Sequence, residues 1–247
     1  MAPTYNLSEA LPSDAYKIAS LFSLSWKSPF SRLQFGNVEP DALATTMTSR
    51  IAQQIEEKSM LFMIAREADT GEVASVAQWT VPTCTSTKDA EQQDRETETA
   101  QQRADGEERE TFEEEIYFNS LPPSSNRALI MEFTAGLHRL RQRILGGEPH
   151  FLLENLATHP EHRGRGLAAR LIECVLVMAD ERSVMTYLET AEDNAARRLY
   201  ERLGFEERGR ETIEDLGKFA SKEEMKSVGV KEAHTHVGFV RVPKREG

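Results

Sequence analysis

Most residues whose types and spacing could support binding or catalysis lie between Leu153 and Phe205. The first group is a loop rich in arginine and glycine. The loop, Arg163-Gly164-Arg165-Gly166, follows an apolar strand pattern and directly precedes a helical pattern. The first amides of a helix lack partners within it, and the helix dipole makes that end positive, so such a loop suits a phosphate group. Glycine lets the backbone approach closely, and arginine adds charged donors. The pattern predicts an anion-binding loop, although a basic surface loop without a ligand fits the same residues.

Other chemistries have weaker support in the sequence. The loop lacks the Gly-Lys-Ser/Thr ending of a Walker loop, and the dinucleotide motif GxGxxG does not occur there. No Ser/His/Asp order and no metal-ligand spacing stands out, so no metal is expected. His159 and His162 flank the loop and are expected to be solvated or close to a phosphate, whereas Cys174 lies in an apolar helical pattern typical of a core.

The elements that must position this loop alternate between strands and helices. Asp69-Thr70-Gly71 between two apolar runs predicts a hairpin, and Gly146-Gly147 predicts a helix end. Strands are expected near 5–9, 60–67, 73–81, 151–158, 185–189, 205–212 and 236–242, and helices from 12 and over 41–57, 124–145, 166–181 and 194–203. This order predicts a mixed α/β fold with antiparallel hairpins at both ends.

The acidity of the chain belongs to one segment. The net charge of the 247 residues is −11, and the segment from Lys88 to Glu115 holds 12 acids and 4 bases, so it carries −8 of that charge. Residues 85–110 almost lack apolar side chains, which indicates a charged, flexible insertion at about 85–115 in a single domain over 1–247. The insertion either has no function of its own or is a regulatory or partner-binding loop. Because no basic face is evident, nucleic-acid binding is not expected.

Targeting signals are not evident in the sequence. It has no run of 18 apolar residues, and its first residues have neither a basic region nor a long apolar region. Its only cysteines are Cys84 and Cys174, which favours a reducing compartment. We therefore expect a cytoplasmic protein, with the nucleus possible, and no membrane partner.

Two ordered motifs make the sequence resemble the GNAT superfamily of acyl-CoA-dependent N-acyltransferases. Arg163, Gly166 and Ala168 fill the family's Arg/Gln-x-x-Gly-x-Gly/Ala motif, and the preceding LATHPEH is typical of its fourth strand and turn. The second motif is filled by Asn194, Leu199-Tyr200 and Gly204-Phe205, with Asn194 six residues before Tyr200 where seven is commoner. The segment THPEHRGRG resembles the sequences of an uncharacterised fungal branch of the family.

The resemblance implies a GNAT-like fold, in which acetyl-CoA lies between two parallel strands that splay apart, here 151–158 and 185–189. It also implies a set of cofactor-binding residues. The pyrophosphate is expected on the backbone of Arg163, Gly164, Arg165, Gly166, Leu167 and Ala168, and the pantetheine along Leu156, Ala157 and Thr158, with Asn194 in the neighbouring turn. A backbone amide on the first strand would polarise the thioester carbonyl.

The resemblance also implies direct attack by an amine, without an acyl-enzyme. Tyr200 is the expected general acid, because a phenol within reach can protonate or hydrogen-bond the leaving thiolate. A buried core tyrosine is the other interpretation of Tyr200. For the general base we expect Glu154, since strict alternation places it on one strand face with Leu152, Leu156 and Thr158.

Alternatives remain for the identity of the general base and for the function of the protein. Glu189 on the other splayed strand is the second candidate base, and a solvated carboxylate is the structural interpretation of Glu154. The segments expected to contact the acceptor contain Phe22, Trp26, Phe30 and Phe35 but no charge pattern. The main hypothesis is an acetyl-CoA-dependent N-acetyltransferase acting on an amine. A non-catalytic CoA-binding module and a nucleotide-phosphate binder are the other two.

Overall fold

The computed structural model describes residues 3–36, 39–82, 121 and 124–244. Within them the strands are β1 Tyr5–Glu9, β2 Met60–Glu67, β3 Val73–Thr80, β4 His150–Thr158, β5 Met185–Ala191, β6 Glu206–Ile213 and β7 His234–Arg241. The α-helices are α1 Ala15–Ser25, α2 Pro29–Phe35, α3 Pro40–Glu56, α4 Arg127–Leu145, α5 Leu167–Glu181, α6 Arg197–Arg202 and α7 Lys222–Val228. The insertion predicted at about 85–115 lies outside the described residues.

These strands form one seven-stranded mixed sheet in the order β1-β2-β3-β4-β5-β7-β6. Strands β4 and β5 run parallel, and the other described neighbours pair antiparallel. Helix α5 makes the crossover between the parallel pair, as such a connection requires. The mixed α/β fold predicted from the order of apolar patterns is confirmed, and β1, the strand expected near 5–9, lies at one edge of the sheet.

Each face of the sheet carries its own core. On one face α5 contributes Leu171 and Val175, which pack with Trp79 of β3 and Phe151 of β4. On the other face α1 and α3 pack against β2 and β3, with Ile18 and Ile64 fully buried. The four-residue recurrence of apolar side chains in the α5 sequence therefore predicts the buried stripe correctly.

Two short helices do not follow from apolar periodicity. Helix α2 has seven residues, begins with Pro29 after the capping residue Ser28, and buries Phe30 and Leu33. Helix α7 is also seven residues long and begins at a capping box formed by Ser221 and Glu224. Two turns are too short to establish a period of 3.6 residues, so only the capping residues marked these helices.

No helix in the described part of the chain is long and apolar enough to cross a membrane.

Candidate active site

A gap opens in the middle of the sheet between β4 and β5. The two strands pair only from His150 opposite Met185 to Leu153 opposite Leu188. Beyond that point β4 continues to Thr158 paired with β3, while β5 continues to Ala191 paired with β7. The strands expected to splay therefore do so, and the separation begins after Leu153.

A β-bulge at Glu154 coincides with the start of the gap. Gln78 of β3 faces Asn155 and Trp79 faces Leu153, so Glu154 has no partner of its own in this register. The extra residue reverses the alternation of side chains along the strand. Leu152 consequently packs in a cluster with Tyr187, whereas Leu156 packs in the cluster around α5.

The expectation that one face carries Leu152, Glu154, Leu156 and Thr158 together is therefore wrong. Thr158 forms a side-chain hydrogen bond of 2.8 Å with Ser75. Strict alternation assumes a regular strand, and the bulge that breaks it leaves no mark in the apolar pattern of β4.

The glycine-rich loop follows β4 and leads into α5. Gly164 and Gly166 adopt φ of +74° and +75°, and nothing lies within 4 Å of a Cβ built at either position. Among the described residues, none accepts a hydrogen bond from the amides of Gly164, Arg165, Gly166, Leu167 or Ala168. The amide of Arg163 differs from these five, because it donates to the carbonyl of Pro160 at 3.4 Å. The loop thus presents a run of open amides at the positive end of α5.

The side chains around the loop are tied to the edge strand. The Tyr5 hydroxyl forms a hydrogen bond of 2.7 Å with His162 Nδ1 and accepts one from Arg165. Arg163 Nε donates to the carbonyl of Thr158 at 3.3 Å, and His159 Nδ1 accepts a hydrogen bond of 3.4 Å from the amide of Glu161. Both histidines therefore have local structural partners beside the loop.

Tyr200 is carried into the site by the short helix α6. Its side chain is 6% exposed and packs with Phe205 and Phe239, at ring-centroid distances of 6.2 Å and 6.3 Å. Burial raises the pKa of Tyr200 to about 12. The same residue lines the cleft described below, so it is both a core tyrosine and a wall of the site.

Asn194 organises the turn between β5 and α6. Its Nδ2 donates to Thr190 Oγ1 at 2.8 Å, and its Oδ1 accepts from the amide of Ala196 at 2.9 Å. These bonds use both ends of the amide, so the side chain fixes the turn that presents Tyr200. Asn194 also borders the cleft.

A cleft of about 770 Å³ passes through the gap between β4 and β5. It brings together the predicted residues Glu154, Leu156, Asn194 and Tyr200 and the second candidate base Glu189. Aromatic side chains from α1, from the residue that follows it, and from α2 and α4 also line the cleft, namely Phe22, Trp26, Phe30, Phe35 and Phe133. The loop residues Arg163 to Ala168 do not line it, and the Ala157 side chain lies in the core against α1.

The two carboxylates in the cleft have different surroundings. Glu154 is exposed and accepts hydrogen bonds from Thr80 and, at 3.4 Å, from Gln78 Nε2. Glu189 is buried and lies 3.1 Å from Arg141 in an ion pair. Burial raises the pKa of Glu189, the charge of Glu154 raises it further, and Arg141 opposes both effects.

Two cleft residues were not anticipated from the sequence. His234 and His236 stand at the start of β7, and both line the cleft with Phe30. Burial lowers the pKa of His234 to about 4 and that of His236 to about 3. The only sequence signal is the spacing His-x-His in a strand, which places both side chains on one face.

Groups of three or more His, Cys, Asp or Glu side chains arranged to hold a metal ion are not found in residues 3–36, 39–82, 121 and 124–244.

Comparison with known proteins relates this geometry to one family. Residues 91–205 match the model of the Acetyltransferase (GNAT) family. Among solved structures, arylalkylamine N-acetyltransferase 2 from Aedes aegypti superimposes with a TM-score of 0.63 at 13% identity, over 98% of this chain and 100% of that one. A search among curated proteins found no sequence relative.

Two further structures share the fold. An agmatine N-acetyltransferase has a TM-score of 0.59 at 12% identity, covering 96% of this chain and 99% of that one. NAA60 of Arabidopsis thaliana, solved with a bisubstrate analogue, has a TM-score of 0.52 at 14% identity, covering 98% and 100%. These likenesses show that the seven-stranded arrangement is the GNAT fold.

Proposed function

We propose that this protein transfers the acetyl group of acetyl-CoA to a primary amine, because residues 91–205 match the model of the Acetyltransferase (GNAT) family. One observation carries the proposal: the cleft through the β4/β5 gap joins the buried phenol of Tyr200 to the carboxylates of Glu154 and Glu189. A proton donor and proton acceptors therefore meet in the same space, as acyl transfer to an amine requires.

The loop before α5 fits the phosphate end of the cofactor. Its five open amides run from Gly164 to Ala168, and the two glycines have positive φ with free space where a Cβ would stand. Amides at the start of a helix bind phosphate oxygens without further charge, and Arg163 and Arg165 add positive charge to the loop.

The free edge of β4 fits the extended arm of the cofactor. From Glu154 to Thr158 the strand has no pairing with β5, so this edge is open to an amide-bearing chain. Leu156 lies on this edge and borders the cleft. Acetyl-CoA bound there would supply the activated acetyl thioester, and a backbone amide of β4 would hydrogen-bond its carbonyl oxygen.

Tyr200 is proposed as the donor to the leaving sulfur. With a pKa of about 12 the phenol stays protonated at neutral pH. An ordinary thiol has a pKa of about 8.5, so complete transfer from the phenol to sulfur alone is uphill. We therefore assign Tyr200 a hydrogen bond that strengthens as negative charge grows on sulfur, and the proton lost by the amine compensates the charge.

Glu154 is proposed as the group that accepts that proton, directly or through water. It is exposed to the cleft, and its partners Thr80 and Gln78 hold the carboxylate at the bulge. Glu189 is less suited, because its carboxylate is buried against Arg141.

Thermal unfolding with and without acetyl-CoA tests the binding half of this proposal. At 100 times the dissociation constant a ligand stabilises the native state by about 2.7 kcal/mol, a shift of a few degrees for a chain of this size. Gly166→Glu should abolish the shift by placing a carboxylate among the open amides. Gly71→Glu is the matched control, because Gly71 also has positive φ, at +73°, and open space but lies in the β2/β3 turn.

Thiol release with a panel of amines tests the catalytic half. Release that requires both acetyl-CoA and an amine supports the transferase. A thermal shift in the wild type without release for any amine would favour a CoA-binding module without catalysis.

A further inference from the structure

Tyr5 of the edge strand β1 is in direct contact with the loop that precedes α5. Its ring is half-buried against the core that α5 shares with the sheet, and its backbone pairs opposite Glu67 of β2. The hydroxyl accepts a hydrogen bond from the Arg165 guanidinium and lies 2.7 Å from His162 Nδ1. The guanidinium carbon lies 5.9 Å from the centre of the Tyr5 ring. A strand of the sheet therefore holds a loop side chain that is 160 residues away in the sequence.

The hydrogen bonds of the Tyr5 hydroxyl have a definite direction. A guanidinium only donates, so the Tyr5 oxygen is the acceptor toward Arg165. The single hydroxyl proton is then available to His162 Nδ1, which places the ring proton of the neutral imidazole on Nε2. His162 thus orients the hydroxyl so that a lone pair faces the guanidinium.

The arginines around the start of α5 keep their positive charge uncompensated. Neutral oxygen atoms hold all three: Arg163 by the carbonyl of Thr158, Arg165 by the hydroxyl of Tyr5 and the carbonyl of Glu161, and Arg170 by the carbonyl of Tyr5. Within the described part of the chain none of the three is in an ion pair, whereas Arg241 donates to the carboxylate of Asp180. A neutral partner fixes a guanidinium without cancelling its charge, so these side chains remain able to bind an anion.

The Arg165 guanidinium and the open amides of the loop serve different positions. Its contacts lie on the side of β1 and of the turn that holds Glu161, and not at the amides from Gly164 to Ala168. Two of its five N–H groups are used in these contacts, which leaves three for a ligand. Coenzyme A has two kinds of phosphate, the pyrophosphate and a monoester on the 3′ carbon of its ribose. The amides suit the pyrophosphate, and a second cationic position beside them suits the monoester, which carries about −1.5 to −2 charges at pH 7.

We propose that Tyr5 is a positioning residue that holds Arg165 for the 3′-phosphate of CoA, so that the protein selects CoA over dephospho-CoA. Because the guanidinium is already ordered, it loses less conformational freedom when the phosphate binds. The inference rests on the proposed function, since the amides of the same loop must bind the pyrophosphate. It adds the edge strand to the parts of the fold that determine cofactor specificity.

A matched pair of cofactors tests the inference. CoA and dephospho-CoA differ only in the 3′-phosphate, and calorimetry at one ionic strength gives both dissociation constants. Hydrogen bonds to charged groups are stronger than neutral ones, so we expect CoA to bind about tenfold or more tightly than dephospho-CoA. Arg165→Gln should bring this ratio close to one.

Tyr5→Phe tests the positioning role, because it removes the hydroxyl and keeps the ring that packs against the core. The ratio of the two dissociation constants should fall about threefold or more, while the affinity for dephospho-CoA changes little. In the Arg165→Gln background Tyr5→Phe should have no further effect on the ratio. In the Arg170→Gln background its effect should be undiminished, because Arg170 binds the carbonyl of Tyr5 and not the hydroxyl. Tyr16→Phe is the control for the loss of a phenol, and it should leave the ratio unchanged because Tyr16 is exposed on α1.

The outcomes separate this inference from the proposed function. Equal binding of both cofactors, or an unchanged ratio in Tyr5→Phe, would overturn the inference and leave the proposed acetyl transfer intact. An equal loss of affinity for both cofactors in Tyr5→Phe would also overturn it, since that result indicates a purely structural role. A ratio that depends on Tyr5, in a protein that releases no thiol with any amine, would support the inference and contradict the proposed function. If neither cofactor binds, the proposed function fails and the inference fails with it.

Discussion

At the scale of single residues, Tyr200 combines a core position with a place in the cleft. Removing its hydroxyl by Tyr200→Phe keeps the ring that packs on Phe205 and Phe239. Because one hydrogen-bond donor to a charge that develops in the transition state contributes about 10²–10³-fold, we expect kcat to fall by about that factor. Stabilisation by acetyl-CoA should stay within error of the wild type.

Steady-state thiol release and thermal unfolding measure the two effects of Tyr200→Phe. Tyr16→Phe is the control, since Tyr16 is 45% exposed on α1. An unchanged kcat in Tyr200→Phe would remove the phenol from the mechanism and leave only its packing role.

The two carboxylates give a second prediction at this scale. Glu154→Gln keeps a group able to bond with Thr80 and Gln78 but removes the proton acceptor, so kcat should fall about tenfold or more. Glu189→Gln replaces a carboxylate with a raised pKa by a neutral amide, and Arg141 is 31% exposed, so the unfolding free energy should change by no more than about 1 kcal/mol while Glu154 still accepts the proton. Parallel measurement of kcat and the unfolding free energy should therefore separate the two variants. Full activity in Glu154→Gln at all pH values would exclude it as the base.

At the scale of elements, one glycine sets how closely α4 approaches the sheet. A Cβ at Gly238 of β7 would lie 2.5 Å from Ile144 Cδ1 and 2.7 Å from the Tyr187 hydroxyl. Overpacking of this kind costs about 1–3 kcal/mol, so Gly238→Ala should lower the unfolding free energy by that amount. Gly136→Ala on α4 meets the flexible side chains of Glu211, at 3.2 Å, and Arg139, at 3.5 Å, and it should cost less. Denaturant unfolding measures both, and equal effects would contradict this account of the packing.

The elements that the sequence predicted well are those with long patterns or strong end signals. The strand of β4, the loop around Gly166 and helix α5 follow from apolar runs and glycines within one continuous segment. The bulge at Glu154 did not follow, because it depends on the register with β3. The stack of Phe30 on His234 was also missed, since it joins α2 to β7, about 200 residues apart. Local patterns thus predict elements, whereas contacts across the sheet decide which side chains share a site.

At the scale of the whole molecule, buried histidines couple stability to pH. The native pKa values of His234 and His236, about 4 and 3, lie below the ordinary value of 6.5. The unfolded chain therefore binds more protons than the native protein as the pH falls below 6.5. Above that pH both rings are neutral in the native and in the unfolded chain, so they do not lower the free energy of unfolding. That free energy decreases as the pH falls toward 4. The slope approaches about 1.4 kcal/mol per pH unit for each histidine.

Other ionisable groups also change the stability with pH, some in the opposite direction and some in other pH ranges. His150 has a lowered pKa through burial and adds to the loss in the same range. Asp180, whose pKa Arg241 lowers, contributes stability that is lost only at more acidic pH, below its ordinary value of 3.8. Glu189 has a raised pKa and therefore opposes the loss at pH values above its ordinary value of 4.5. The contribution of His234 and His236 is therefore best isolated as the difference between the wild type and a variant that lacks both.

The double variant His234→Phe, His236→Phe should consequently unfold with a flatter pH dependence than the wild type between pH 6.5 and 5. Its remaining slope should reflect His150 and Glu189, because the packing on Phe30 and Phe133 is retained. Denaturant unfolding at half-unit pH steps gives both slopes. Parallel curves for the two proteins would mean that solvent or a bound group already stabilises the charged imidazoles. In that event His234 and His236 would bring positive charge to the cleft that they line and would repel the amine that the protein is proposed to acetylate.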